Sequence, residues 1–201
     1  SDNQHKLMYD TATGAGWDVG AAMGITGGRK GWKACVYEGG IGVPFIARWP
    51  KHIAAGKVNK LSPISAVDLL PTFCELAGAE LPKGYKPDGL SQVQALLGKD
   101  KETTRKKALF WKMPNKVPAS KVGGFHWVTY AVMDGNFKLL ANHGLQYFEL
   151  YDIVNDPMEK NDLQKTKTEV AQKLLSQIKD WQTTLPKEPT GDVFSSLRNQ
   201  E

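Results

Sequence analysis

Long apolar runs are missing from this 201-residue chain: none approaches the roughly 20 residues that a membrane-crossing helix needs. No charged-then-apolar leader opens it, and Ser1-Asp2-Asn3-Gln4 reads as interior sequence, so any leader is expected upstream. Cysteine is scarce. Cys35 and Cys74 lie in neither a CxxC nor a Cys/His cluster, which excludes a disulfide framework and a zinc finger. Two buried thiols are the expectation, with one bridge between them as the alternative. Internal repeats and low-complexity tracts are also lacking, which excludes solenoids and fibrous architectures. The glycine-rich stretch Gly14–Gly31 contains neither GxxxxGK[ST] nor GxGxxG, so it reads as loop rather than as a nucleotide cradle.

What remains is ordinary globular composition: 41% hydrophobic, 23% charged and 9% aromatic residues, enough for a real core. The net charge of +5 slightly favours anionic partners. Much of it is crowded into one stretch: Lys99, Lys101, Arg105, Lys106, Lys107, Lys112, Lys116 and Lys121, opposed by Asp100 and Glu102. No nucleic-acid-binding pattern accompanies that charge, so a solvated basic loop is preferred to a groove for an acidic polysaccharide.

Hydrophobic periodicity predicts two parts, residues 1–105 and 106–201. In the first, Val43–Trp49 reads as a buried strand with Pro44 near its start. Asp68 reads as the N-cap of a helix carrying Leu69, Leu70, Phe73, Leu76 and Ala77 at helical spacing, with Pro71 in its first turn and Gly78 as its stop. Ser91 is the expected cap of a second short helix through Leu97. This is an incomplete α/β portion with one or two strands, too few for a two-sided parallel sheet, whose neighbours are expected from upstream sequence. The second part reads as a small α+β subdomain with an antiparallel sheet and a C-terminal helix. Its strands are expected at Leu109–Lys112, Phe125–Met133, Phe137–Ala141 and Tyr147–Tyr151, with a type I′ hairpin turn at Asp134-Gly135. Asn155-Asp156-Pro157 is a further turn. Over Thr168–Thr183, Val170, Leu174, Leu175, Ile178 and Trp181 form one apolar face to cover the sheet. The tail from Pro186 is polar and expected to be loosely held.

Four ordered blocks resemble the sulfatases, arylsulfatase-like members of the alkaline-phosphatase-like superfamily. They are Ser1-Asp2-Asn3; Lys33-Ala34-Cys35-Val36-Tyr37-Glu38-Gly39-Gly40-Ile41-Gly42-Val43-Pro44; Arg48-Trp49-Pro50 with Asp68-Leu69-Leu70-Pro71-Thr72; and Met133–Leu139 with Glu149–Pro157. The resemblance implies a metal-dependent sulfuric ester hydrolase in which Asp2 and Asn3 donate oxygens to Ca2+. A hard divalent cation takes such ligands and neutralises a sulfate held beside it. It implies that Lys33 contacts the sulfate ester, where an ammonium stabilises charge building in the transition state. Lys30, three residues earlier, competes for that role. His5 and His126 are candidates to line the substrate pocket, although a solvated histidine is the ordinary alternative for each. Glu38 and Asp68 read as structural carboxylates.

Two departures from the family pattern carry consequences. Family members commonly have arginine where Gly42 stands, so one structural ion pair is expected to be missing. The spacing from Asn3 to Lys33 is long, filled by the glycine-rich loop, which is expected to border the pocket. The formylglycine nucleophile of these enzymes, made from the first residue of [CS]-x-P-x-R, is expected upstream. Here Cys35 is followed by Val-Tyr-Glu, Cys74 by Glu-Leu-Ala, and Ser62 by Pro63 directly. The expected partners are a sulfated small molecule or glycan and the upstream half of the same protein, with no nucleic acid and no membrane span; the expected setting is periplasm, extracellular space or lysosome. Two alternatives are a related phosphoesterase or phosphonate hydrolase, and a non-catalytic remnant that binds sulfated glycans.

Overall fold

The structure is a computed structural model and describes residues 26–31, 35–60, 62–100, 105–113 and 128–186. Its organising element is an antiparallel sheet in the order β1 (Leu109–Lys112), β2 (Tyr130–Asp134), β3 (Phe137–Ala141) and β4 (Phe148–Asp152). Two strands have the bounds that alternation predicts. β2 begins later than expected, and β4 is shifted by one residue at each end. The β2–β3 turn is Gly135-Asn136, because Asp134 still pairs with Phe137. Gly135 has φ +60° and Asn136 is not among the positive-φ residues. That is the II′ pattern, with glycine at the first central position, rather than the expected I′.

Strand alternation gives the sheet two different faces. Tyr130, Val132, Leu139, Ala141 and Leu150 meet Ala171, Leu174, Leu175 and Ile178 of the long helix at Thr168–Thr184. Trp181 closes one end, stacked on Phe110 at 5.0 Å between ring centroids. The opposite face presents Ala131, Leu140 and Tyr151, and is covered by Cys35, Val36 and Tyr37 from far upstream. A sheet apolar on both sides needs two covers, and the helix is only one of them.

Ahead of β1, the helices among the described residues are α1 (Glu38–Ile41), α2 (Leu69–Ala77) and α3 (Val93–Leu96), and the long C-terminal helix is α4. Gly78 ends α2 in the left-handed conformation at φ +63°, as expected. Asp68 occupies the N-cap position of α2, as expected, but its side chain makes no capping hydrogen bond there. It lies in a 3-10 turn at Ala66–Asp68, and its carboxylate accepts from Ser65 N, from Leu90 N and from both terminal nitrogens of Arg105, at 2.7–2.8 Å. The structural role expected of Asp68 holds, but through a buried clamp. Among the described residues of the basic stretch Arg105 is accordingly the exception: Lys99, Lys106, Lys107 and Lys112 are exposed. α3 starts at Val93, preceded by Gln92 rather than capped by Ser91; Gln92 N donates to Thr72 Oγ1.

Val43–Trp49 is not a strand. Val43 is 77% and Ile46 89% exposed, and the segment has no ladder partner among the described residues. Its apolar pattern suits a buried strand, but a strand forms only where a neighbour accepts its N–H and C=O groups. Leu70 and Phe73 of α2 are likewise exposed. Cys35 is buried and Cys74 half-buried, and both are thiols. No described helix is long and apolar enough to cross a membrane.

Candidate functional site

The sheet face away from α4 carries a buried polar seam. Alternation along β4 puts Glu149 and Tyr151 on this face, and pairing with β3 sets Lys138 opposite Tyr151 and Leu140 opposite Glu149. Two ionic clusters grow from these positions, and both reach the segment from Lys30 to Gly42.

The first cluster centres on Glu149. Its Oε2 accepts from Lys30 Nζ at 2.8 Å, Tyr37 OH at 2.9 Å and Tyr151 OH at 2.8 Å, while Oε1 accepts from Tyr147 OH at 2.6 Å. Lys30 Nζ also donates to Tyr151 OH at 2.7 Å and lies 4.4 Å from the centroid of the Tyr37 ring, a cation–π distance. Burial opposes ionisation of Glu149. The hydrogen bonds from Lys30, Tyr147 and Tyr151, together with the Lys30 charge, outweigh it and hold the carboxyl below the usual carboxylate range. Burial, then the charge and hydrogen bonds of Glu149, push the phenols of Tyr37, Tyr147 and Tyr151 well up, so all three remain donors.

The second cluster centres on Lys138, whose side chain is fully buried in the middle of β3. Its Nζ lies 2.7 Å from Glu38 Oε1 and 3.0 Å from Glu159 Oε1, the latter an ion pair off the line of a good hydrogen bond. Glu159 Oε2 accepts from Glu38 N at 2.8 Å. Glu159 adopts φ +54°, a left-handed conformation that costs a side-chain-bearing residue on the order of 1–3 kcal/mol. Burial pushes its carboxyl up despite the Lys138 charge, and the neighbouring Glu38 charge adds to the rise.

Between these clusters the backbone closes on itself. Gly39 N donates to Lys30 O at 2.7 Å. A Cβ on Gly39 would run into Gly31 O and would lie 2.6 Å from Lys30 O, so only glycine permits the closure. Arg29 Nη1 donates to Gly42 O at 3.0 Å, and a Cβ on Gly42 would meet that same nitrogen at 3.0 Å. A guanidinium therefore stands beside residue 42 although residue 42 carries none.

Of the residues proposed from sequence, Asp2, Asn3, His5, Lys33 and His126 lie outside the described residues. Glu38 is structural, as expected. Lys30, the competing sulfate contact, is occupied with Glu149. Among the described residues no group of three or more His, Cys, Asp or Glu side chains could hold a metal ion. The sequence reading missed Lys138, Glu149 and Glu159. For Lys138 and Glu149 the available signal was a charge flanked by apolar residues in the strands FKLLA and FELYD; Glu159 lies in neither strand.

Comparison with known proteins covers this seam from end to end. Residues 28–184 match the family described as N-sulphoglucosamine sulphohydrolase, C-terminal. The chain belongs to this sulfatase C-terminal family. It is 32% identical to a sulfatase of Formosa agariphila, over 73% of this chain and 27% of the relative. It is 29% identical to an N-acetylgalactosamine-6-O-sulfatase of Bacteroides thetaiotaomicron, over 76% of this chain and 29% of the relative. A solved structure from a Bacteroides thetaiotaomicron locus for the metabolism of multiple glycosaminoglycans superposes with a TM-score of 0.60 at 26% identity; 78% of this chain and 32% of that one are covered. The sulfatase chain thus spans about a third or less of the length of these relatives. The family match begins just before Lys30 and ends on α4, so the Lys30–Gly42 segment and the sheet that holds it fall within one matched unit.

Proposed function

We propose that this chain is the C-terminal part of a sulfate-ester hydrolase acting on sulfated glycans. The observation that carries the reading is the family match over residues 28–184, which includes the segment around Lys33. In this reading Lys33 binds the sulfate, and its ammonium stabilises the negative charge that builds on the departing ester oxygen and the sulfuryl oxygens. Asp2 and Asn3 supply oxygens to a calcium ion, which when bound would neutralise the sulfate. His5 and His126 line the sugar-binding side, and the glycine-rich loop after Asn3 borders it. The formylglycine nucleophile comes from upstream sequence, and the setting is outside the cytoplasm. An arylsulfatase A is matched over a similar share of this chain, and a glycan is favoured because the solved structures that superpose on it include a protein from a glycosaminoglycan locus and a complex with neocarrahexaose.

The test uses the intact protein with N-acetylgalactosamine-6-sulfate and an aryl sulfate as substrates. Desulfation of the sugar is expected to exceed that of the aryl ester, and Lys33→Ala is expected to lower kcat/KM by about a hundredfold, the scale of losing one transition-state charge contact. Unchanged turnover in Lys33→Ala would remove the role given to that lysine. Residues 1–201 alone are expected to show no turnover, and a robust metal-dependent rate from them would overturn the upstream placement of the nucleophile.

A further inference from the structure

We propose that Glu149, Lys138 and Glu159 are positioning residues for Lys33, acting by fixing the residues that flank it in sequence, Lys30 and Tyr37-Glu38. The inference rests on the reading that Lys33 meets the sulfate. Residues 32–34 fall between two feet that the structure describes. The upstream foot is Lys30, bound through Nζ to Glu149 and Tyr151 of β4. The downstream foot is Tyr37-Glu38, bound by the Tyr37 hydroxyl to Glu149, by the Glu38 carboxylate to Lys138 of β3, and by Glu38 N to Glu159. Gly39 N on Lys30 O ties the feet to each other.

Three features set this apart from routine packing. One carboxylate, Glu149, serves both feet, so their separation is fixed by a single group on a rigid strand. Lys138 and Glu159 are charges buried at the centre of a small subdomain, where an apolar pair would be the less costly way to fill space. Glu159 is held in a left-handed conformation, and in it the carboxylate meets Lys138 Nζ and Glu38 N. Each of these features has the same result: Lys30 and Tyr37-Glu38 cannot drift relative to the sheet. A transition-state contact needs that fixity, since small misplacements of a charged group lose rate steeply.

The experiment compares Glu149→Gln, Lys138→Met and Lys138→Arg in the intact protein by amide hydrogen exchange, by turnover of N-acetylgalactosamine-6-sulfate, and by competitive inhibition with inorganic sulfate. Glu149→Gln and Lys138→Met are each expected to speed exchange across residues 35–42 at least tenfold, with α4 protection unchanged. They are expected to lower kcat/KM and weaken sulfate inhibition by a similar factor, and Lys138→Arg is expected to recover part of both. Should Lys138→Met fail to fold, Glu149→Gln keeps the side chain's size and carries the same readouts. Unchanged exchange at residues 35–42 overturns the anchoring. Faster exchange with unaltered sulfate inhibition, while Lys33→Ala still abolishes it, overturns the positioning role and leaves the Lys33 reading standing. Sulfate inhibition that is unaltered by Lys33→Ala itself overturns the Lys33 reading instead.

Discussion

Glu149 stays ionised in a buried place because an ammonium and phenols are aimed at it, and that arrangement has a pH signature. Its folded-state carboxyl lies below the ordinary value of 4.5, so the unfolded chain takes up the proton first. The stability this carboxylate contributes is complete above about pH 4.5 and is lost as pH falls from there through the depressed folded value. Glu149→Gln should therefore lower Tm at neutral pH and narrow the gap to wild type on acidification, as followed by circular dichroism melts across that range. A gap that stays constant with pH would refute the assignment. The Asp68–Arg105 pair is tested by removing its cation. Both side chains are nearly inaccessible, so Arg105→Met leaves a carboxylate buried without its cation, at a cost of about 3–5 kcal/mol in urea unfolding. The double change Asp68→Asn with Arg105→Met should recover a large part of that.

Among elements, the most legible in the sequence were those whose pattern is set by their own period. α4 repeats at 3.6 residues against a single apolar layer, visible from Val170 to Trp181, while β3, packed on both faces, is marked at Phe137–Ala141 as a short apolar run beside a turn signal. Ile178, fully buried under the sheet, shows how much rides on that match: Ile178→Ala should cost about 2–5 kcal/mol, read from denaturant midpoints. The seam was less legible for a physical reason. Lys138 and Glu149 have partners roughly a hundred residues or more away, Glu38 and Lys30, and no local period encodes a contact at that range. Val43–Trp49 failed in the opposite sense. Its composition states what it would be beside a neighbour, and the described residues offer none.

For the whole molecule, that unsatisfied segment is an exposed apolar surface. Val43, Phe45 and Ile46, with Leu70 and Phe73 of α2, are exposed side chains of the type that globular chains ordinarily cover. The 201-residue chain should accordingly bind an apolar dye and self-associate at micromolar concentration. Replacing Val43 and Ile46 with Lys should suppress both in light scattering without lowering Tm, because neither side chain is packed against the sheet subdomain. A Tm that falls by several degrees would mean that these residues are packed after all.

The distance in sequence between Lys30 and Glu149 also sets a clock. The two are 119 residues apart, so a ribosome making about 5–20 residues per second delivers the carboxylate on the order of ten seconds after the lysine. Until β3 and β4 have been made, Val36 and Tyr37 have no sheet to cover, and Glu38 has no ammonium to meet. Lys30 and the segment Cys35–Gly42 thus wait for the late-made strands before they find their partners. The pace of translation through β1 to β4 then determines how long that segment is open to chaperones and proteases.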